Sequence, residues 1–120
     1  MKNSNKELGH YGEDLAASYL ENQNYQILEK NYRLTLGEID IIAFIEKTVV
    51  FVEVKTRKSL CFGLPCEAVT AKKRHKIYII AECYISNKHL YNFNCRFDII
   101  EVYIQDKDNR INHLINAFSL

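Results

Sequence analysis

Three charged residues lie within or beside the most apolar parts of the chain, and their types suit metal binding. Glu53 and Lys55 follow the apolar run at residues 49–52, and Asp40 lies within the apolar run at residues 39–44. In a strand, Glu53 and Lys55 share one face, about 7 Å apart. Burying such charges costs free energy unless they are paired or bind an ion. The sequence therefore predicts either ion pairing or a metal site here.

The two apolar runs predict a β-hairpin that brings these charges together. Gly37 permits a tight turn before the first strand, and Glu46 and Lys47 form a short polar loop before the second. Strands joined by a short loop are antiparallel neighbours. Asp40, early in the first strand, would therefore meet Glu53, late in the second.

Two carboxylates at one end of a hairpin suit Mg²⁺ or Mn²⁺, because these ions prefer oxygen ligands. Asp40 and Glu53 are the expected metal ligands, and Lys55 would position or help to deprotonate an attacking water. A simpler alternative remains open. Glu53 and Lys55 could form a salt bridge at a strand end, with Asp40 accepting hydrogen bonds from backbone amides.

An aspartate, a spacer and a Glu-x-Lys triplet on adjacent strands resemble the signature of the PD-(D/E)XK nuclease superfamily. More closely, nearly the whole chain looks like the YraN family of small bacterial proteins. The segments that carry this resemblance are residues 12–16, 31–33, 37–40, 50–57 and 62–63, Lys73, and residues 96–98. The chain is also similar to archaeal Holliday junction resolvases, which carry a glutamate on the first helix; that role would fall on Glu13.

The resemblance implies a restriction-endonuclease-like α/β fold, with a mixed central sheet flanked by helices. It also implies a metal-dependent endonuclease that acts on DNA, including branched or structured DNA, and a homodimer like the junction-cutting relatives. The catalytic set would be Glu13, Asp40, Glu53 and Lys55. Two other functions stay open: a nucleic-acid-binding module with a vestigial nuclease site, and a protein-interaction subunit whose carboxylates are structural.

Hydrophobic periodicity predicts the element order α-β-β-β-α-β-β in a single domain over residues 1–120. Helices are expected at residues 6–22 and 70–85, and Glu13 falls at the margin of the first helix's apolar stripe. The first strand is expected at residues 25–28 and 31–34, with a polar interruption. Further strands are expected at residues 37–44, from residue 48, at residues 96–104 and at residues 110–118.

Positive charge is concentrated beside the proposed metal site. Residues 55–76 hold seven lysines and arginines and one acid, although the net charge of the chain is only +1. Such a block suits contact with a nucleic-acid backbone, and Lys73 and Arg57 are the expected contact residues. A solvated helix surface is the competing interpretation. Because no base-reading motif is present, binding would depend on phosphate and shape.

Composition indicates an ordinary globular domain, with 48% hydrophobic and 26% charged residues. No apolar run is long enough to span a bilayer, and the first six residues are polar, so we expect a cytoplasmic protein without membrane association. The four cysteines fit no zinc pattern and are expected to be free thiols. The four histidines are expected to be surface or structural residues.

Overall fold

The computed structural model describes residues 5–58, 69–105 and 108–119. These residues form the predicted α-β-β-β-α-β-β order, which confirms a mixed α/β fold. The elements are α1 (Asn5–Asn22), β1 (Gln26–Leu34), β2 (Gly37–Ile45), β3 (Thr48–Lys58), α2 (Ala71–Asn87), β4 (Asn94–Ile104) and β5 (Arg110–Phe118). Two of the four cysteines, Cys61 and Cys66, lie outside the described residues.

The five strands form one sheet in the order β1-β2-β3-β4-β5. All neighbours are antiparallel except β3 and β4, which are parallel because the chain crosses over through α2 between them. The predicted hairpin of β2 and β3 is present. Its turn residues, Glu46 and Lys47, have φ of 46° and 60°, the left-handed values that match the twist of a two-residue hairpin.

The sheet is covered on both faces, which explains why its central strands are apolar on both sides. Helix α1 packs Ala16 and Leu20 into a cluster with Val52 of β3. Helix α2 packs Ile77 and Ile80 into the opposite cluster, which includes Phe51. Neither helix in the described part of the chain combines the length and the apolar character needed to cross a bilayer.

The predicted interruption of the first strand is wrong, because β1 continues through it as one strand with two local irregularities. Its pairing with β2 shifts register between Ile27 and Glu29. Asn31 has φ of 53°, a conformation that asparagine adopts more readily than most residues. The strand is therefore distorted here but not interrupted, since Glu29 and Lys30 pair with Ile42 and Ile41 of β2.

Strand β4 is buried on both faces and carries a carboxylate that the sequence analysis did not single out. Asp98 is fully buried and bonds Arg96 Nε at 2.9 Å, His113 Nε2 at 2.7 Å and the backbone N–H of Asn116 at 2.9 Å. Burial alone would raise the pKa of Asp98, but the hydrogen bonds from His113 and Arg96 outweigh it and lower that pKa. His113 is therefore one of the structural histidines, and it joins β5 to the sheet.

Gly12 allows α1 to lie directly against β3. A Cβ at this position would overlap the Oγ1 atom of Thr56, whereas a Cβ at Gly9 of the same helix would meet nothing. We expect Gly12→Ala to displace the helix and destabilise the fold by about 1–3 kcal/mol. Gly9→Ala, the matched control, should stabilise by up to about 1 kcal/mol through helix propensity. Urea unfolding measures both, and equal effects would contradict the close contact.

Candidate metal centre

Asp40 and Glu53 meet where the β2–β3 ladder ends. The last backbone pair is Ile41 with Val52, and the next positions in this register are Asp40 and Glu53. There, Asp40 Oδ2 accepts a hydrogen bond from the backbone N–H of Val54 at 2.8 Å. A side-chain carboxylate thus takes the place of a backbone acceptor, and this bond fixes Asp40 beside Glu53.

The Glu53 carboxylate is almost completely buried, with 5% of its side chain exposed. Its Oε2 atom lies 3.0 Å from Nζ of Lys73 on α2. Its Oε1 atom is buried and has no hydrogen-bond partner among the described residues. Burial and the charge of Asp40 raise the pKa of Glu53 to about 7, although Lys73 and Lys55 act in the opposite direction. A buried oxygen without a partner is costly, and a bound cation would satisfy it.

Two further carboxylates approach Asp40. Glu13 from α1, Glu38 from β2 and Asp40 each offer an oxygen, and these oxygens lie within 4.8 Å of one another. Burial and the Asp40 charge raise the pKa of Glu13, and burial also raises the pKa of Asp40. Burial and nearby negative charge disfavour the ionised forms of Glu13 and Asp40, so these two carboxylates hold their protons more tightly than in water.

Glu38 also belongs to this group of carboxylates, although the sequence analysis did not name it as a candidate site residue. It precedes Asp40 by two residues, and this spacing in one strand was the available signal. Glu38 Oε2 accepts hydrogen bonds from Arg33 Nη2 at 2.7 Å and from Arg33 Nε at 3.1 Å. This two-point contact from Arg33 orients the Glu38 carboxylate beside Asp40.

These carboxylates fit a hard divalent cation. All the donor atoms are oxygens, their charges are only partly compensated, and Glu53 Oε1 lacks a partner. Mg²⁺ and Mn²⁺ bind such oxygen sets, often through one or two carboxylates with the remaining positions filled by water or substrate. The oxygens that lie within 4.8 Å of one another belong to Glu13, Glu38 and Asp40, and Glu53 adjoins this cluster as the neighbour of Asp40 across β2 and β3.

The two lysines predicted for the site take different positions. Lys55 lies close enough to Asp40 and Glu53 that its charge opposes the rise in the pKa of both carboxylates, which burial causes in the first place. Lys73, predicted to contact a nucleic-acid backbone, forms an ion pair with Glu53, and its contact with nucleic acid stays a prediction. Burial alone would lower the pKa of Lys73, but the charge and hydrogen bond of Glu53 outweigh it and raise that pKa.

Arg57, the other predicted backbone contact, is bonded to a buried carboxylate. Its Nε atom lies 3.2 Å from Oε2 of Glu101, whose side chain is 2% exposed. Glu101 also accepts a hydrogen bond from Asn112 Nδ2 at 2.9 Å. The guanidinium of Arg57 therefore has a structural role, and its contact with nucleic acid stays a prediction.

Two clefts flank the carboxylates, one beside each helix, and the cleft beside α2 is basic. A cleft of about 410 Å³ borders α2, and its charged lining residues are Glu38, Lys72, Lys73 and Lys76. A cleft of about 320 Å³ borders α1, and its charged and histidine lining residues are Lys6, His10, Glu13, Arg33 and Glu38. Because Glu38 lines both, the clefts meet at the carboxylates. The lysines of the α2 cleft suit a polyanion that lies beside the acidic centre.

Fold and site together define a small α/β protein with a carboxylate centre between two clefts, of which the one beside α2 is basic. The chain belongs to a family described as uncharacterised protein family UPF0102, whose model matches residues 12–102. This confirms the predicted membership of the YraN family.

Relatives of the chain in other bacteria match it over nearly their whole length. A UPF0102 protein of Clostridioides difficile is 54% identical over 115 residues, which cover 96% of this chain and 99% of the relative. A UPF0102 protein of Caldanaerobacter subterraneus is 48% identical over 122 residues, covering 98% and 100%. One from Clostridium acetobutylicum is 46% identical over 122 residues, covering all of both chains.

Proposed function

We propose that this protein is a Mg²⁺- or Mn²⁺-dependent endonuclease that hydrolyses phosphodiester bonds in DNA. The observation that carries the proposal is the Glu53 carboxylate, which is buried beside Asp40 with one oxygen unpartnered and a pKa raised to about 7. If Glu53 served only as an ion-pair partner, the folded protein would be more stable with both carboxylate oxygens hydrogen-bonded. Strongly shifted pKa values of buried groups with specific charged partners are typical of functional sites.

Each side chain at the carboxylate centre has a role in this reaction. Asp40 and Glu53 hold the ion, and Glu13 and Glu38 hold a second ion or orient the first ligands. A divalent cation at this centre neutralises charge that develops on the phosphate. Lys55, near both carboxylates, orients the water that attacks phosphorus. The remaining cleft lysines hold the flanking phosphates, so binding should weaken steeply with added salt.

A cleavage assay with several DNA structures tests the proposal. Labelled single-stranded, flap and four-way-junction DNA is incubated with the protein in Mn²⁺ and, separately, in a chelator. We expect cleavage of at least one substrate in Mn²⁺ only, and no cleavage by an Asp40→Asn variant. Retarded DNA with no metal-dependent cleavage would instead support a binding module with a vestigial site. Failure to bind any nucleic acid at low salt would favour a protein-interaction role.

A further inference from the structure

We infer that Lys73 is an exchangeable counter-ion: it neutralises Glu53 in the metal-free protein, and a divalent cation displaces its ammonium, which then binds a substrate phosphate. This inference rests on the proposed function. It assigns one residue to two successive partners, and it predicts that cation binding and DNA binding strengthen each other.

The exposure of the two partners determines which of them can move. Glu53 has 5% of its side chain exposed and lies within a central strand, whereas Lys73 has 45% exposed. The backbone at Lys73 is fixed, since its N–H donates to the Thr70 side chain at 3.1 Å in the N-terminal cap of α2. The flexible lysine side chain can therefore swing outward while the helix and the carboxylate stay in place.

The ammonium and a divalent cation would compete for the same oxygens. Lys73 Nζ lies 3.0 Å from Glu53 Oε2, and the Lys73 charge also acts on Asp40. A cation held by both carboxylates would lie within a few ångströms of that ammonium, and the two positive charges would repel each other strongly. The Lys73–Glu53 ion pair and the metal-bound site are therefore alternative states of the same carboxylates.

The displaced ammonium would lie in the cleft beside α2. Lys73 lines the α2 cleft together with Lys72 and Lys76. An ammonium released from Glu53 adds a third lysine charge to that cleft, where a phosphate would be attracted. By thermodynamic reciprocity, a cation that increases the affinity for DNA has its own affinity increased by DNA to the same extent.

Cation binding without DNA provides the first test. Mg²⁺ is titrated by calorimetry into wild type, Lys73→Met, Lys72→Met and Lys73→Arg at about pH 9, where the carboxylates are ionised and lysine stays charged. Lys73→Met should bind Mg²⁺ about tenfold more tightly than wild type, within the usual range for coupled sites. Lys72→Met is the matched control: it loses the same charge from the same cleft but has no Glu53 partner, so its affinity should change much less. Lys73→Arg, which keeps the charge, should resemble wild type.

The second test measures the coupling to DNA. Fluorescence anisotropy gives the affinity for a phosphorothioate-substituted four-way junction in chelator and in saturating Mg²⁺. Wild type and Lys72→Met should bind more tightly in Mg²⁺, by several-fold, and Lys73→Met should lose most of that gain.

The outcomes separate this inference from the proposed function. If wild type binds no divalent cation, the metal site itself is wrong. If wild type binds Mg²⁺ and DNA, but Lys73→Met and Lys72→Met have equal Mg²⁺ affinities or equal coupling, only the counter-ion role of Lys73 is overturned.

Discussion

Asp40→Asn is expected to weaken Mn²⁺ binding at least about a hundredfold, because removal of a direct carboxylate ligand should cost at least as much as the loss of an outer-shell partner. The asparagine side chain keeps an oxygen that can accept the Val54 N–H, the bond that Asp40 makes at 2.8 Å. The fold should therefore survive the substitution. Alanine would leave that N–H without its acceptor and would mix a stability effect with the binding effect. Calorimetric titration with Mn²⁺ and the cleavage assay measure the loss.

Asp14→Asn is the matched control for this prediction. Asp14 is an exposed carboxylate on α1 that pairs with Lys30 at 2.6 Å, so its replacement removes one negative charge outside the carboxylate cluster. It should leave Mn²⁺ affinity nearly unchanged. Equal Mn²⁺ affinity in Asp40→Asn and Asp14→Asn would show that Asp40 is not a ligand, and the nuclease proposal would lose its basis.

Glu53→Gln is expected to change how stability depends on pH. The pKa of Glu53 is raised from 4.5 to about 7 on folding, so the folded protein favours the protonated form. In a chelator, this group costs no stability below about pH 4.5, and its cost grows as pH rises to about 7. The full cost is about 3 kcal/mol, since each pKa unit corresponds to about 1.4 kcal/mol. Because glutamine resembles the protonated acid, Glu53→Gln should be more stable than wild type by about this amount at pH 8, and the difference should shrink toward pH 5.

Urea unfolding of both proteins at pH 5 and pH 8 measures this difference. Added Mn²⁺ at pH 8 should stabilise wild type, since a ligand that binds only the folded state raises its stability, and it should stabilise Glu53→Gln much less. Parallel pH profiles of the two proteins would contradict the raised pKa. A similar gain from Mn²⁺ in both would remove Glu53 from the metal site.

The hairpin that carries Asp40 and Glu53 could be predicted because the information is local. Alternating apolar residues define both strands, and a two-residue loop at Glu46 and Lys47 leaves little choice of pairing. Counting residue pairs away from this turn then places residue 40 opposite residue 53. The same local reasoning gave α1 and α2, because their apolar residues recur at helical spacing.

The remaining contacts depend on how distant elements pack, which no local pattern encodes. Lys73 reaches Glu53 only because α2 crosses the sheet at one particular angle and height. The pair of Arg57 with Glu101 needs the parallel register of β3 and β4, which is set by the crossover connection. The role of Asp98 could not be predicted from local sequence, because two of its donors, His113 and the N–H of Asn116, lie on β5 and only the folded sheet brings them to β4.

The Asp98 network also bears on the order in which the protein can be assembled during translation. His113 bonds both Asp98 and the Tyr19 hydroxyl of α1, the latter at 3.1 Å. The ribosome makes β5 after every other strand of the sheet, at about 5–20 residues per second. Until β5 emerges, Asp98 lacks two of its donors, and burying it would be unfavourable. The nascent chain should therefore keep this side of the sheet open and close it only after β5 has been synthesised.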